Sequence, residues 1–370
     1  MMMFARRQAS KAPAPVEARP GDLAEAGSAG RGRWTRGVYG GAVTGALVLG
    51  LVACTSPEPQ PEGETLPERN APGRGEFYAH KENSYYTDVG MIASSSQGET
   101  QADLEELENL PIAEWIADTK KIDDGYVAQT VQAASEQGQL PLFVAYNIPE
   151  RDVGNHSTGG VDSDGEYEGW ITALSEQIGD NGAVVVLEPD ALAHLPDLSD
   201  EEAEARVGLL ANALDTLHAN SNTATYLDAG NATWRDPELT ADLLKRVEEQ
   251  SQHGVEGISL NVANFISEED TRAYAEEVQE AFGKPLYVLI DNSRNGDPEG
   301  VAEGDWCNPV GQRVGAIDTT FDPDEPVEVA YIKVLGQSDG ECGISQRPAG
   351  EFDGELLLEQ VGGRSETPAE

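Results

Sequence analysis

Ala183-Val-Val-Val-Leu187 is a run of five apolar residues, stopped abruptly by Glu188-Pro-Asp190. Three consecutive β-branched valines favour extended backbone, and an apolar run without polar alternation is buried on both faces, as in a parallel sheet. Proline then removes a backbone donor and ends the ladder. The unit therefore reads as a buried strand that delivers two carboxylates to its carboxyl end.

Working outward, similar short apolar runs occur at 142–146, 224–227, 257–260, 286–290 and 329–332, with amphipathic helical segments such as 201–219 and 240–252 between them. Strand and helix in alternation imply parallel pairing through crossover helices, and this many units in one domain favour a closed sheet. The fold expected is α/β, a single distorted TIM-like β/α barrel. Each strand is followed by polar residues: Asn147 through Asp152, Glu188 to Asp190, Asp228, Asn261 and Asn264, Asp291 to Arg294, and Lys333 through Asp339. In such a barrel the active site lies at the C-terminal strand ends, so these groups converge there. A single Asp after a strand is more often a helix cap or an Asx turn. Six such positions in series point instead to a site.

The 370 residues include 67 acidic and 24 basic ones, a formal charge of −43. That excess argues against nucleic acid, which is held by Lys and Arg contacts to phosphate. A neutral polymer is not repelled. The sequence shows no HExxH, Walker-type or GxSxG site and no metal-ligand spacing among its five histidines, so neither metal nor organic cofactor is expected.

Arg31, Arg33 and Arg36 precede a mostly apolar stretch that ends Leu51-Val52-Ala53-Cys54. Residues 1–53 read as an export signal with a long N-terminal cytoplasmic-type arm, and Cys54 as a lipobox cysteine that takes the lipid anchor. A single membrane span is the alternative, although about 17 residues is the short limit for crossing a bilayer. Residues 54–75 are rich in Pro, Glu and Gly and read as a tether, 76–362 as the catalytic domain, and 363–370 as a polar tail. The domain is expected to face the outside of the cell, membrane-anchored or released, as a monomer. If Cys54 carries lipid, Cys307 and Cys342 remain as a possible disulfide.

The strand ends resemble those of glycoside hydrolase family 6, the inverting cellulases that include endoglucanases and cellobiohydrolases. The resemblance runs from about Phe77 to Leu358 through VAYNIPERDVGNHSTGG (144–160), VVVLEPDALAHL (184–195), YLDAGNATW (226–234), SLNVANF (259–265), LIDNSRNGDP (289–298), DWCNP (305–309) and YIKVLGQSDGEC (331–342). It implies hydrolysis of a β-glucan polysaccharide or cello-oligosaccharide with inversion, which needs an acid on the leaving oxygen and a base that activates water on the opposite face. By the same resemblance Asp190 is the proton donor, Asp152 its electrostatic neighbour, Asp339 the candidate base and Asp228 a further supporting aspartate, while Tyr146 shapes the distorted sugar. Trp115, Trp234 and Trp306 are implied as stacking surfaces, and Lys333, Asn264, Asn231, Gln337 and Thr158 as polar sugar contacts. Trp170 is expected to be structural.

The sequence departs from the family pattern at four places. Val153 and Leu198 stand where a pair of cysteines is frequent, so one bridge is expected to be missing. Asn231 replaces the usual histidine after Asp-Ala-Gly, and Gln337 replaces a glutamate before Ser-Asp-Gly. The compact connections from Asp152 to Asp190 and from Asp228 to Trp306 favour an open cleft and endo action over a tunnel. A surface glucan-binding lipoprotein with little turnover, an exo-acting cellobiohydrolase, and action on a mixed-linkage glucan remain as alternatives.

Overall fold

In the computed structural model the strand sequence of the barrel is carried by β1 (Glu114–Ile116), β2 (Leu142–Ala145), β3 (Ala183–Leu187), β4 (Thr223–Asp228), β5 (Gly257–Leu260), β6 (Tyr287–Asp291) and β7 (Val327–Ala330). All six neighbouring pairs are parallel and the sheet order is the chain order, β1 to β7. The structure describes residues 75–151, 153, 159–302, 304–317 and 325–362, all within one compact unit. The expected signal, Cys54, most of the tether, the polar tail, Asp152 and Thr158 lie outside the described residues.

Strand residues alternate between two apolar layers. Leu142, Val144, Val184, Val186, Ala224, Tyr226 and Leu289 fill the barrel interior. Phe143, Ala145, Val185, Leu187, Ile258 and Ile290 face the helices. These crossover helices are α4 (Tyr126–Gln137), α5 (Asp164–Ile178), α6 (Asp200–His218), α7 (Pro237–Gln250) and α8 (Glu268–Phe282), with the short α3 (Lys120–Asp123) before them. Burial on both faces explains why β3 tolerates an unbroken apolar run. Ser199 starts α6 with a reciprocal capping box to Glu202, which satisfies two orphan backbone donors and fixes where the segment after Asp190 turns into helix.

A third layer, α1 (Ser84–Ser95), α2 (Gly98–Leu107) and α9 (Gly354–Gln360), packs Tyr85, Val89, Leu104 and Leu357 over Tyr331. The barrel closes at this side. Ala113 donates its N–H to the Tyr331 carbonyl at 3.0 Å, a single parallel bridge joins Ile112 to Tyr331, and the Trp115 indole N–H reaches the Ile332 carbonyl at 2.8 Å. The expected distorted barrel is thus present, with a seam of one bridge and one side-chain bond in place of a full ladder. Two details differ from the sequence reading. The short β1 carries no long apolar run, and β7 lies two residues earlier than the 329–332 segment, because Glu328 sits in the ladder opposite Leu289.

Candidate active site

The carboxyl end of β3 is backbone-strained. Glu188 and Asp190 have φ of 46° and 71°, and Asn261 and Ala263 after β5 have φ of 64° and 57°. Left-handed conformations at non-glycine residues cost energy and persist where the surroundings over-determine them, as at functional sites. Here the surroundings are hydrogen bonds between strand ends. The Asp190 N–H donates to Asp228 Oδ1 at 3.0 Å, so the end of β4 holds the turn that presents the half-buried Asp190 side chain.

Asp228 is almost fully buried and also accepts from the Gly230 N–H at 3.1 Å and the Ser259 hydroxyl at 3.2 Å. Burial pushes its carboxyl up to about 7, and the negative Asp291 adds to the rise, against the three donors that favour the charged form. Glu188, fully buried one residue past β3, behaves alike. Burial raises it to about 7 although the N–H groups of Asn147 and Ile148 donate to it at 3.0 and 3.2 Å. It ties the end of β2 to the end of β3. The β3–β4 side of the mouth therefore holds two carboxyl groups that keep protons to near neutrality.

Across the mouth the situation reverses. Asp339 accepts from Arg294 Nη1 at 2.7 Å, from Lys333 Nζ at 2.8 Å and from the Asn308 N–H at 3.0 Å. Burial works to raise this carboxyl, but the two adjacent cations outweigh it and hold Asp339 well below the usual carboxylate range. Lys333 is lowered, chiefly by its own burial, with Asp339 opposing. Arg294 is 1% exposed, lies 4.4 Å over the Phe265 ring and also donates to the Ala263 carbonyl.

Asn308 closes the loop around Asp339. Its side-chain carbonyl accepts from the Asp339 N–H at 2.8 Å, and its amide donates to Gly340 O at 2.8 Å and Cys342 O at 3.1 Å. The Cys307–Cys342 disulfide, left open by the sequence, is present with Cα atoms 5.9 Å apart and staples the same two loops. Gly343 is required there, because a Cβ would stand 2.2 Å from the Cys307 carbonyl.

Asp291 lies between the two sides and is a knot rather than a reacting group. Its two oxygens accept from the N–H groups of Ala263, Ser293, Ile332 and Lys333 and from the Ser293 hydroxyl, at 2.5–3.0 Å. Aromatic residues complete the mouth. Trp115 meets Tyr146 edge-on at 5.3 Å, and the Arg151 guanidinium lies 4.5 Å over the Tyr146 ring. Trp234 is half-buried, and Trp306 is 51% exposed beside the disulfide. Trp170 is buried, with its indole N–H on the Asp118 carbonyl at 3.0 Å, as a structural residue would be.

The polar positions divide. Lys333 is drawn into the Asp339 cluster. Asn264 donates to the Val262 carbonyl at 3.0 Å, and Asn231 is turned into its own loop, its Oδ1 accepting from the Thr233 N–H and hydroxyl at 3.0 and 2.9 Å. Gln337 forms a backbone bridge with Phe352. A cavity of about 970 Å³ lies beside β7 among Phe77, Gln129, Glu268 and Val329 and reaches Asn292 just past β6.

Buried carboxyl groups of opposite habit, cations and aromatic plates thus gather at the C-terminal mouth of a β/α barrel, where enzymes of this architecture carry their active sites. The chain belongs to glycosyl hydrolases family 6, whose profile matches residues 73–355. It is 33% identical over 294 residues to endoglucanase 1 of Streptomyces halstedii, covering 76% of this chain and 89% of that protein. It is 28% identical to a probable 1,4-β-D-glucan cellobiohydrolase C of Aspergillus niger, covering 76% and 72%. Among solved structures it resembles the endoglucanase Cel6 of Mycobacterium tuberculosis, in complex with a thio-cello-oligosaccharide, at 32% identity and a TM-score of 0.68, covering 79% of this chain and 99% of the other.

Proposed function

We propose that the protein hydrolyses β-1,4-glucosidic bonds within cellulose or a related β-glucan, with inversion, and that Asp190 is the general acid. The observation that carries this is the asymmetry of the mouth, with Asp190 anchored beside the proton-holding Asp228 on one side and the charged Asp339 on the other. That is the division of labour inversion requires. The endoglucanase relatives support the substrate and the endo mode.

In this reading water attacks the anomeric carbon from the Asp339 side as the bond to the leaving oxygen breaks. Asp190 gives its proton to that oxygen. The water's proton passes to Asp339, directly or through a second water, since a carboxylate paired with two cations holds a proton only briefly. Asp228 fixes the Asp190 backbone and limits negative charge near the acid. Tyr146 shapes the distorted sugar and the tryptophans stack on the glucan, with Lys333, Asn264, Asn231, Gln337 and Thr158 as polar contacts and Asp152 as a charge beside the acid. Export through residues 1–53 and a lipid on Cys54 would hold the domain outside the cell. Among the described residues no helix is long and apolar enough to cross a membrane.

The test is hydrolysis of carboxymethylcellulose and barley β-glucan by the purified chain, followed by viscosity and reducing ends beside Asp190→Ala. A rapid viscosity fall that Asp190→Ala abolishes supports endo hydrolysis. A folded wild type that binds both polymers without cutting them moves the reading to a glucan-binding surface protein.

A further inference from the structure

We propose that His194 is a positioning residue that sets the tilt of Trp234, held for that task by Asp197 and Arg235; the proposal rests on the reading of Trp234 as a sugar-stacking surface. The His194 and Trp234 rings are 4.8 Å apart between centroids and 83° apart in plane, the edge-to-face geometry that aromatic rings prefer. His194 Nδ1 stands 3.3 Å from Asp197 Oδ2, and that same oxygen is ion-paired with Arg235 Nη2. Arg235 closes the circuit. Its Nε donates to the Ala193 carbonyl at 2.8 Å, and its guanidinium lies 5.8 Å from the Trp234 ring.

The clasp joins the two loops that matter. One begins at Asp190, whose carbonyl accepts the His194 N–H at 3.0 Å, and the other runs from Asp228 to Trp234. They abut so closely that a Cβ on Gly230, which has φ 76°, would meet Ala193 Cβ at 3.3 Å and Trp234 Cε3 at 3.5 Å. The far end of the clasp is fixed as well. The Arg235 carbonyl accepts from the Tyr274 hydroxyl at 3.0 Å, which is itself 2.7 Å from Thr240 Oγ1. Leu198 stands one residue beyond Asp197 in place of a cysteine frequent in the family, so the loop that carries the acid is fastened here by polar groups instead of by a bridge. A stacking surface binds ground state and transition state nearly alike, so loosening it changes KM and spares kcat.

The experiment is steady-state hydrolysis of cellopentaose by the full chain carrying His194→Ala, Trp234→Ala, or both, with thermal melting to confirm folding. Trp234→Ala should raise KM about tenfold and His194→Ala about fivefold, each with kcat within about twofold, as loss of uniform binding requires. The double variant should match Trp234→Ala alone, because a residue that acts only through Trp234 has nothing left to position. His194→Phe, which keeps an aromatic edge, should restore KM to within about twofold of wild type. If His194→Ala does not fold, His194→Asn takes its place with the same expectations. Unchanged KM in the histidine variant, or losses that multiply in the double variant, overturn the positioning role alone. Unchanged KM in Trp234→Ala overturns the stacking reading and the positioning role with it.

Discussion

The two sides of the barrel mouth both bury carboxyl groups and treat their protons in opposite ways. On the β3–β4 side Asp228 and Glu188 accept from backbone N–H and hydroxyl donors, Arg151 acts on Glu188 only weakly, and burial carries both up to about 7. On the β6–β7 side Asp339 is nearly as buried, with its side chain 9% exposed, but faces Arg294 and Lys333, and it stays charged. Burial alone therefore does not set protonation. What decides is whether a full opposite charge accompanies the group into the interior, because dipoles recover only part of the lost hydration.

The largest expected effect lies on the proton-holding side. Asp190→Ala should lower kcat on β-glucan by about 10³-fold, within the range for loss of a general acid, and reducing-end assays measure it. The next breaks the charged side. Arg294→Met leaves Lys333 alone with Asp339 and removes the bond to the Ala263 carbonyl. Unfolding in urea should show a loss of about 3–5 kcal/mol, as for a buried ion pair deprived of one partner. Reducing the Cys307–Cys342 disulfide loosens the loop that holds Asp339 and should cost about 2–4 kcal/mol in the same assay.

The smallest effect concerns pH, and its sign separates the two sides. A carboxyl whose folded pKa is raised to about 7 binds more protons folded than unfolded, so its contribution to stability is full below the unfolded pKa near 4 and is lost as pH rises to about 7. Asp339 has the opposite sign, stabilising above the unfolded value and losing that contribution as pH falls. Denaturant melts between pH 4 and 8 should show the downward slope, and Asp228→Asn or Glu188→Gln should flatten it. Asp339→Asn should leave that slope in place.

The barrel was legible in the sequence because parallel strands buried on both faces must be apolar runs, and most of them are. The exceptions have physical causes. β1 is three residues long and begins with the buried Glu114, which is satisfied by the Asn83 amide at 2.7 Å and an ion pair to Lys121 at 3.3 Å. β7 contains Glu328, so its apolar signal is displaced toward Tyr331 and Ile332. At the site, strand-end position brought out Asp190, Asp228 and Asp339, since a strand stop followed by a carboxylate is a local pattern. The roles of Glu188, Asp291, Arg294 and Asn308 were not legible, because each is defined by partners up to 45 residues away along the chain. Asp291 looks like another reacting carboxylate in the sequence and becomes a five-donor knot only when β5, β6 and β7 are assembled. Asn231 reads as a sugar contact, and the assembled loop adds a second role, since its carbonyl accepts from the Thr233 N–H and hydroxyl.

The most direct test is a titration of the side-chain carboxyl carbons by ¹³C NMR from pH 3 to 8, with Asp228→Asn and Asp339→Asn used to assign the two resonances. The signal lost in Asp228→Asn should move with a midpoint near 7, and the signal lost in Asp339→Asn should not move across the range. A midpoint near 4 for both would mean that the two sides of the mouth treat their protons alike, and would contradict the division of labour on which the proposed reaction stands.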